Sequence, residues 1–274
     1  MELDKLIDSA LNEDLPQGDL TTESLCVAVK IGKARLIAKE DLVLSGTNVF
    51  TQTIRKLASD CLVKWYFRDG EIILNGQTAA LIEGNLVGVI KAERVAINFL
   101  GHLSGIATYT RCFADRLKNT KTKILDTRKT TPLLRVLEKQ AVVHGGGVNH
   151  RANLSEAILI KENHIHLAGG IREAITKIRT RSSKPIEIEA KNLDDVKLAV
   201  ELKVTRIMFD NMDNETIRKA MQIVPQIIET EASGNMTLDR ITTIAELGVN
   251  FISVGAITHS APTADFSLIF DGKT

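Results

Sequence analysis

The second half of the chain carries a repeating pattern that restricts the fold more than any other feature. From about residue 120, short apolar runs rich in β-branched residues alternate with amphipathic stretches of helical length. The runs are KILD (123–126), AILIK (157–161), IEIEA (186–190), RIMFD (206–210), IIETEA (227–232) and FISVG (251–255). Several lack polar alternation, as expected of strands buried on both faces. The last three steps between runs are 20 to 24 residues long, which predicts βα units and a parallel sheet.

Helix-start signals fit between these strands. Thr131 and Pro132 are predicted as N-cap and first residue of one helix, and Asn192 caps another with Asp195 three residues later. The dinucleotide fingerprint G-x-G-x-x-G is absent. We therefore expect a closed or nearly closed βα barrel rather than a doubly wound sheet. Six identified strands leave room for an incomplete ring.

Composition limits the classes of partner. The 274 residues fit one large domain or two ordinary ones, with 44% apolar and 25% charged residues. A net charge of +1 provides no global attraction for nucleic acid or an anionic membrane. The N-terminus is acidic and amphipathic, unlike a signal peptide, and the three cysteines lie far apart. We expect a soluble, cytoplasmic protein with reduced thiols.

The stretch HGGGVNHR (144–151) combines bare backbone with positive charge. It resembles the oxyanion loop of esterases, but no serine has the G-x-S-x-G flanks of a nucleophile elbow. A Walker loop, G-x-x-x-x-G-K-[ST], is also absent. The glycines are interpreted as letting a loop lie close over the rim of the barrel and present His150 and Arg151 to an anion.

Polar or glycine residues follow every predicted strand. Active sites of βα barrels lie at the carboxyl ends of the strands, so these residues are expected to meet at one rim. Small residues after the last two strands expose backbone N–H groups and suit a phosphate. The expected rim comprises Thr127, Arg128, Lys129, Lys161, Glu189, Asp210, Ser233, Gly234, Asn235, Val254, Gly255 and Ala256.

The first half of the chain shows a different sequence pattern. Strand-like runs with turns at DG and NG predict an antiparallel or mixed sheet, with a helix near 48–58. A long helical stretch follows, with Val95, Phe99 and Leu103 on one face and Arg94 on another. We expect an N-terminal α+β open-faced sheet domain over residues 1–105. The incomplete TIM-like barrel would occupy 106–261, and a tail at about 262–274 would pack on the first domain.

Several longer motifs together resemble those of one family. They are EDLPQGDLTTESL (13–25), AERVAINFLGHLSGIAT (92–108), LDTRKTTPLLRVLEKQAVVHGGGVNHR (125–151), IEIEA (186–190), MFDNM (208–212), EASGN (231–235) and ISVGAITHSAPTADFSL (252–268). On these motifs the chain resembles, nearly end to end, the quinolinate phosphoribosyltransferases. Their TRKT and GGGVNHR segments are highly specific.

The resemblance implies a pentosyltransferase of NAD biosynthesis. Its substrates would be quinolinate and phosphoribosyl pyrophosphate, and its products nicotinate mononucleotide, pyrophosphate and CO₂. It also implies Mg²⁺ as cofactor and a homodimer in which Arg94 reaches the neighbour's active site. The residues suit this reaction, because forked guanidinium groups at Arg128 and Arg151 match a dicarboxylate.

The remaining roles follow the same resemblance and chemistry. Lys129, Lys161 and His150 would add charge and hydrogen bonds. Glu189 and Asp210 near a pyrophosphate imply a bound cation. The expected catalytic groups are Lys129, Lys161, Glu189 and Asp210. Residues 233–235 and 254–256 would hold the ribose 5-phosphate, with His259 as a further contact.

Plainer alternatives stay open at several positions. Arg94 could be a solvated helix residue, and Asp210 could cap the helix that follows it. Glu189 could form a structural salt bridge with its neighbours, and His259 could be a turn residue. Two other functions also remain: a paralogue that uses another small aromatic acid or base, and a non-catalytic sensor of phosphorylated sugars. The presence of both Glu189 and Asp210 argues against the sensor, because a sensor does not need to stabilise a leaving group.

Overall fold

The computed structural model describes residues 2–26 and 29–271. In chain order the first elements are α1 (Leu3–Asp14), α2 (Leu20–Ser24), β1 (Ile31–Ala38), β2 (Leu42–Val43), α3 (Thr47–Leu57), β3 (Leu62–Trp65), β4 (Ile72–Ile73), β5 (Thr78–Asn85) and α4 (Leu86–Leu117). The others are β6 (Lys123–Leu125), α5 (Arg135–His144), β7 (Ile158–Ile160), α6 (Glu162–Ala168), α7 (Ile171–Arg179), β8 (Ile186–Ala190), α8 (Leu193–Glu201), β9 (Arg206–Asp210), α9 (Asn214–Ile223), β10 (Glu229–Ser233), α10 (Leu238–Glu246), β11 (Phe251–Ser253), α11 (Ala256–His259) and β12 (Phe266–Asp271).

Residue contacts divide the chain into two compact units. Unit 1 takes in the described parts of Met1–Arg111, Thr130–Gly146 and Ser260–Thr274, and unit 2 takes in Cys112–Lys129 and Gly147–His259. The division differs from the expected domains of 1–105 and 106–261 at α5, which groups with unit 1 although it lies between β6 and β7 in the chain.

Unit 1 is built on an antiparallel sheet in the order β12-β1-β5-β3. The C-terminal strand β12 runs along β1 from Ala38↔Phe266 to Lys33↔Asp271. The last three residues of the expected tail lie outside the described residues. Ala34, Leu36 and Ala38 alternate along β1 into the core, where they join Phe50 and other buried side chains. Strand alternation therefore sets which face of this sheet is covered.

The long helix α4 is amphipathic as predicted. Val95, Phe99 and Leu103 are buried, while Arg94 and Asn98 on the other face are exposed. Ala92, Ala96 and Leu100, also four residues apart on α4, join the core of unit 1. None of the described helices combines the length and apolar character that crossing a bilayer requires.

The predicted start of α5 at Thr131 and Pro132 is wrong. The helix begins at Arg135, because Leu133 adopts a left-handed conformation with φ of 70°, which interrupts helical geometry. The Thr131 N–H donates instead to the wholly buried Glu138 carboxylate at 3.2 Å. Glu138 also pairs with His102 Nε2 at 2.8 Å, so this carboxylate fixes the turn before the helix.

Unit 2 contains a six-stranded parallel sheet among the described residues, in the order β6-β11-β10-β9-β8-β7. Strands β8 and β9 occupy the predicted spans, and the other predicted strands lie within two residues of the observed ones. In the described part of the chain no pairing joins β6 to β7 at the two edges, so the barrel is incomplete. Helices connect successive strands from β7 to β11, as the βα spacing predicted.

The caps of these connecting helices follow from sequence. Asn192 accepts the N–H groups of Asp194 and Asp195 at the start of α8, which confirms the predicted cap. Asp213 accepts Thr216 N–H at 2.7 Å at the start of α9. Such caps satisfy N–H groups that a helix cannot pair internally. Helix α8 begins three residues after β8 and α9 four residues after β9, which leaves short loops at the carboxyl edge.

The glycine triplet has a structural reason that the sequence interpretation did not include. A Cβ at Gly145 would lie 2.4 Å from the carbonyl oxygen of Ala107, so this residue packs directly against α4. Gly146 has a φ of 93°, a conformation that favours glycine. After the triplet, Val148 pairs with Leu125, which brings the chain into unit 2 beside β6.

Candidate active site

The parallel register brings the strand ends of unit 2 to one edge. Asp210 pairs with Ser233, Ser233 with Ser253, and Ser253 with Leu125. Because the strands end at nearly the same level, the residues that follow them surround a common space. That space is a cavity of about 560 Å³ lined by Asp126, Thr127, Arg128, Lys129, His150, Arg151, Leu159, Lys161, Glu189, Met208, Asp210, Asn211, Ser233 and Ser253.

Two guanidinium groups share one wall of this cavity. Arg151 is only 8% exposed, and its Nη1 donates to the carbonyl oxygen of Ala157 at 2.8 Å. Burial and the neighbouring Arg128 lower the pKa of Arg151. A guanidinium still stays charged at neutral pH, so the fold holds two like charges side by side. An anionic ligand would relieve this repulsion, and its two carboxylates could each receive a forked donor.

Lysine and carboxylate groups also line this cavity. Lys161, at the end of β7, forms an ion pair with Glu189 at the end of β8. Asp210, at the end of β9, accepts the side-chain amide of Asn211 at 3.1 Å. Thr127 Oγ1 accepts the Lys129 N–H at 3.0 Å. The arrangement brings cationic and acidic groups to adjacent strand ends.

A second cavity, of about 300 Å³, shares several of these residues. It is lined by Thr127, Lys129, Asp210, Asn211, Ser233, Gly234, Asn235, Met236, Ser253, Val254, Gly255, Ala256 and His259. A Cβ at Gly255 would lie 3.1 Å from Lys129 Cδ and 3.3 Å from the His259 ring, so the chain passes closely between them. Gly234 and Asn235 have φ angles of 99° and 49°. Backbone N–H groups in such turns can form an anion-binding concavity.

Every predicted site residue except Arg94 lines one of these two cavities. Arg94 lies in unit 1, where it lines a separate cavity of about 210 Å³ with Glu13, Asp14 and His102 among others. Asp19, which resembles part of an acidic cluster in sequence, caps α2 by accepting the Thr21 and Thr22 N–H groups.

His150 lies at the base of the first cavity and is held from both ring nitrogens. Nδ1 accepts the Arg151 N–H at 2.7 Å, which leaves the hydrogen on Nε2. Nε2 lies 3.0 Å from Glu187 and 3.6 Å from Glu231. The His150 N–H donates to the buried Asp126 at 2.8 Å. In this geometry His150 links the Arg151 backbone to carboxylates below the cavity, and its direct contact with a substrate stays a prediction.

Those carboxylates belong to a buried charged layer. Arg206 Nη1 lies 3.3 Å from Glu231 and 3.9 Å from Glu187, and Nη2 lies 2.7 Å from Glu229. Burial and the nearby Glu187 raise the pKa of Glu231 to about 7. Burial opposes the charge on His150, but Glu187 and Glu231 raise its pKa above the ordinary value. We define the buried layer as His150, Glu187, Arg206 and Glu231, with Glu229 as its half-exposed neighbour.

Sequence reasoning missed several residues of the site. Leu159, Met208 and Ser253 line the first cavity but were not predicted there, and Asp126 and Asn211 were predicted at strand ends without a role in the site. Asp126 and Asn211 do carry a signal, because each is a polar residue at a strand end. Leu159 and Met208 carry none, since buried strand residues of the same type fill both the core and the cavity wall.

The fold and the site together define a class: a βα-barrel protein with a cavity lined by arginine, lysine and carboxylate groups at the carboxyl ends of its strands. Family models refine this class. The model described as the N-terminal domain of quinolinate phosphoribosyl transferase matches residues 19–104, and the C-terminal domain model matches residues 106–269. The chain belongs to the quinolinate phosphoribosyl transferase family.

Individual relatives agree with the family. The chain is 38% identical to a probable nicotinate-nucleotide pyrophosphorylase (carboxylating) of Synechocystis sp., over 97% of this chain and 92% of the relative. It is 37% identical to the corresponding protein of Bacillus subtilis, over 98% and 93% of the two chains. The structure of nicotinate-nucleotide pyrophosphorylase from Francisella tularensis superposes with a TM-score of 0.94 at 37% identity, covering 98% of this chain and 96% of that one.

Proposed function

We propose that this chain transfers the phosphoribosyl group of phosphoribosyl pyrophosphate to quinolinate and decarboxylates the product. The observation that carries this proposal is the pair Arg128 and Arg151 on one cavity wall, next to a second cavity rich in backbone and small residues. The first suits a planar dicarboxylate and the second a sugar phosphate. The family and its named relatives supply the reaction that joins these two ligands.

The reaction needs positioning more than a protein nucleophile. The pyridine nitrogen forms a bond to the anomeric carbon as the bond from that carbon to pyrophosphate breaks. The 2-carboxylate then leaves as CO₂, and the ring carbon takes up a proton to give nicotinate mononucleotide. Positive charge develops at the anomeric carbon in the first step, so fixed charges and orientation are the expected sources of acceleration.

The chain's own residues would divide this work between the two cavities. Arg128, Arg151 and Lys161 would orient the dicarboxylate through charge-assisted hydrogen bonds, each contributing about 1.5–3 kcal/mol. Lys129 lies between the cavities and would contact the pyrophosphate. The residues of the second cavity, with His259 at its exposed side, would hold the 5-phosphate.

The carboxylates Glu189 and Asp210 fit a magnesium ion by donor chemistry. Both are hard oxygen ligands at the ends of adjacent strands, and Mg²⁺ binds through one or two carboxylates together with substrate phosphates and water. When bound, Mg²⁺ would neutralise charge on the departing pyrophosphate. Lys161 already pairs with Glu189, so this lysine would help to hold the carboxylate in place.

We further propose a homodimer in which Arg94 contributes to the neighbour's site. Arg94 is an exposed cation of unit 1 that lines neither cavity of unit 2. Unit 2 also carries an apolar concavity of about 560 Å³ beside β7, with Leu154 and Leu167 67% and 82% exposed. Exposed apolar surface of this kind suits a protein contact. We assign the protein to the cytoplasm, where its free cysteines would stay reduced.

The decisive test is a mixture of purified protein, quinolinate, phosphoribosyl pyrophosphate and Mg²⁺, with and without EDTA. Nicotinate mononucleotide and CO₂ are followed by chromatography and gas capture. Formation of both products only with metal is the expected result. Turnover of another aromatic acid or base, with none of quinolinate, would instead identify a paralogous transferase. Binding of phosphoribosyl pyrophosphate without any turnover would identify a sensor.

A further inference from the structure

Arg240 connects the two loops that form one side of the second cavity. It lies in the first turn of α10, and its guanidinium reaches back from the helix. Nη1 donates to the carbonyl oxygen of Gly234 at 2.6 Å, and Nη2 donates to that of Met212 at 2.6 Å. Gly234 belongs to the loop after β10 and Met212 to the loop after β9. One planar side chain thus bridges the backbone of both loops.

The bridge fixes the orientation of a peptide group at the cavity. In a trans peptide the C=O and the following N–H point in opposite directions. Because the Gly234 carbonyl points at Arg240, the Asn235 N–H points away from the guanidinium. Gly234 and Asn235 both line the second cavity. Among the hydrogen bonds of the described residues, none is made by the Asn235 N–H.

The loop needs such support because its backbone is crowded and unusual. Asn211, Gly234 and Asn235 all have positive φ angles. A Cβ at Gly234 would lie 2.1 Å from Asn211 Oδ1, so the two loops touch at this point. The Asn211 N–H donates to Ser233 O at 2.9 Å, which adds one more link. Conformations of this kind persist only where surrounding contacts hold them.

We propose that Arg240 is a positioning residue for the sugar-phosphate half of the site. By holding the Gly234 and Met212 carbonyls, it orients the Asn235 N–H toward a phosphate in the second cavity. It also fixes the loop that follows Asp210. Arg240 does not line either cavity, so it acts through the backbone and not by touching the ligand. The role rests on the proposed function, because it assumes that this cavity binds the phosphoribosyl group.

The test compares Arg240→Ala with Arg240→Lys and with Arg179→Ala. Arg179 is a matched control, since its Nη2 also donates to a backbone carbonyl, that of Lys203 at 2.9 Å, but away from both cavities. Calorimetric titration with ribose 5-phosphate gives a dissociation constant that needs no turnover. Steady-state kinetics give separate KM values for phosphoribosyl pyrophosphate and quinolinate.

Arg240→Ala should raise the ribose 5-phosphate dissociation constant and the KM for phosphoribosyl pyrophosphate by about tenfold, the equivalent of one lost hydrogen bond. The KM for quinolinate should change by less than about threefold, which is less than half of the tenfold change on a logarithmic scale. Arg240→Lys should recover part of the loss, because an ammonium can reach one carbonyl but not bridge two. Arg179→Ala should behave as wild type.

Equal rises in both KM values, or a loss in Arg240→Ala that Arg179→Ala reproduces, would overturn the positioning role. Wild-type protein that fails to bind ribose 5-phosphate would overturn it too. Failure of the proposed function has a different signature: wild type would bind ribose 5-phosphate but not convert quinolinate. In that case the comparison of dissociation constants still tests Arg240.

Discussion

The cavity wall and the buried layer below it use similar residues in opposite ways. On the wall, Arg128 and Arg151 lie close enough for one charge to lower the pKa of the other. In the buried layer, Arg206 contacts three carboxylates and His150 is held at both ring nitrogens. The first arrangement places two like charges together, and an anionic ligand would reduce their repulsion. The second pairs Arg206 and His150 with carboxylates and so provides a rigid base for the first, although burial still disfavours the charge on Glu231.

Two glutamates of strand β8 show how small the difference in position is. Glu187 and Glu189 are two residues apart on β8 and share a face, yet Glu187 contacts His150 in the buried layer while Glu189 pairs with Lys161 at the cavity. A step of two residues along a strand is about 6.6 Å. That step separates a structural carboxylate from one proposed to face a metal and substrate. The contrast predicts that mutations in the buried layer change stability and mutations on the wall change binding.

The largest effect on stability is expected for Arg206→Met. The change removes the cation that lies against Glu187, Glu229 and Glu231, so the wholly buried Glu231 would lose its arginine partner. Removing one member of such a group typically costs about 3–5 kcal/mol. Urea unfolding monitored by circular dichroism should show a loss of this size in the free energy of unfolding.

Arg172→Met is the control for that measurement. Arg172 makes a 2.7 Å ion pair with Glu201, but both side chains are more than half exposed. Solvent-exposed pairs contribute about 0–1 kcal/mol. If the two variants lost the same stability, the buried layer would not be the rigid base described above.

Arg151→Ala should have the largest effect on ligand binding. Its loss would leave one carboxylate of a bound dianion without a forked donor, which costs about 2–5 kcal/mol in comparable buried charge pairs. The dissociation constant of quinolinate, measured by calorimetry, reports this loss. The free energy of unfolding should fall less than in Arg206→Met, since removing Arg151 also removes its repulsion with Arg128.

Lys197→Ala serves as the reference for binding, because Lys197 is an exposed residue of α8 paired with Asp194. Its quinolinate affinity should match that of wild type. Unchanged affinity in Arg151→Ala would remove Arg151 from the site and break the contrast between wall and buried layer.

The lining of the first cavity was largely predictable from sequence and the buried layer was not. Strand ends in unit 2 are marked by apolar runs that stop at a charged or small residue, so Lys161, Glu189 and Asp210 could be placed at one edge. The caps at Asn192 and Asp213 follow equally local rules. By contrast, the alternation of IEIEA does not reveal which glutamate lies deeper.

Other features depend on contacts between distant residues. Arg240 acts on carbonyl groups six and 28 positions away, so no local pattern indicates it. The same holds for the start of α5. Thr131 and Pro132 are good helix-start residues locally, but the bond from the Thr131 N–H to Glu138 and the left-handed Leu133 move the start to Arg135. Tertiary contacts override local preference where a buried carboxylate must be satisfied.

A final prediction separates the two layers by their dependence on pH. Burial and Glu187 raise the pKa of Glu231 to about 7, whereas an unfolded glutamate has the ordinary value of 4.5. The stability that this group contributes is complete below pH 4.5 and is lost as the pH rises toward 7, because the unfolded state ionises first. The shift corresponds to about 3 kcal/mol. His150 adds a change of the same sign, lost as the pH rises through its own raised pKa.

Glu231→Gln keeps the shape of the neutral acid and cannot ionise, so its free energy of unfolding should vary much less between pH 5 and 7.5 than that of wild type. Urea unfolding across this range measures the difference, with Glu229→Gln as the control because the Glu229 side chain is 46% exposed. The control should keep the wild-type slope. If the free energy of unfolding of Glu231→Gln depended on pH as steeply as that of wild type, a group other than Glu231 would be titrating. Loss of the slope together with unchanged quinolinate affinity at pH 7.5 would show that the buried layer supports the site through rigidity and not through its charge.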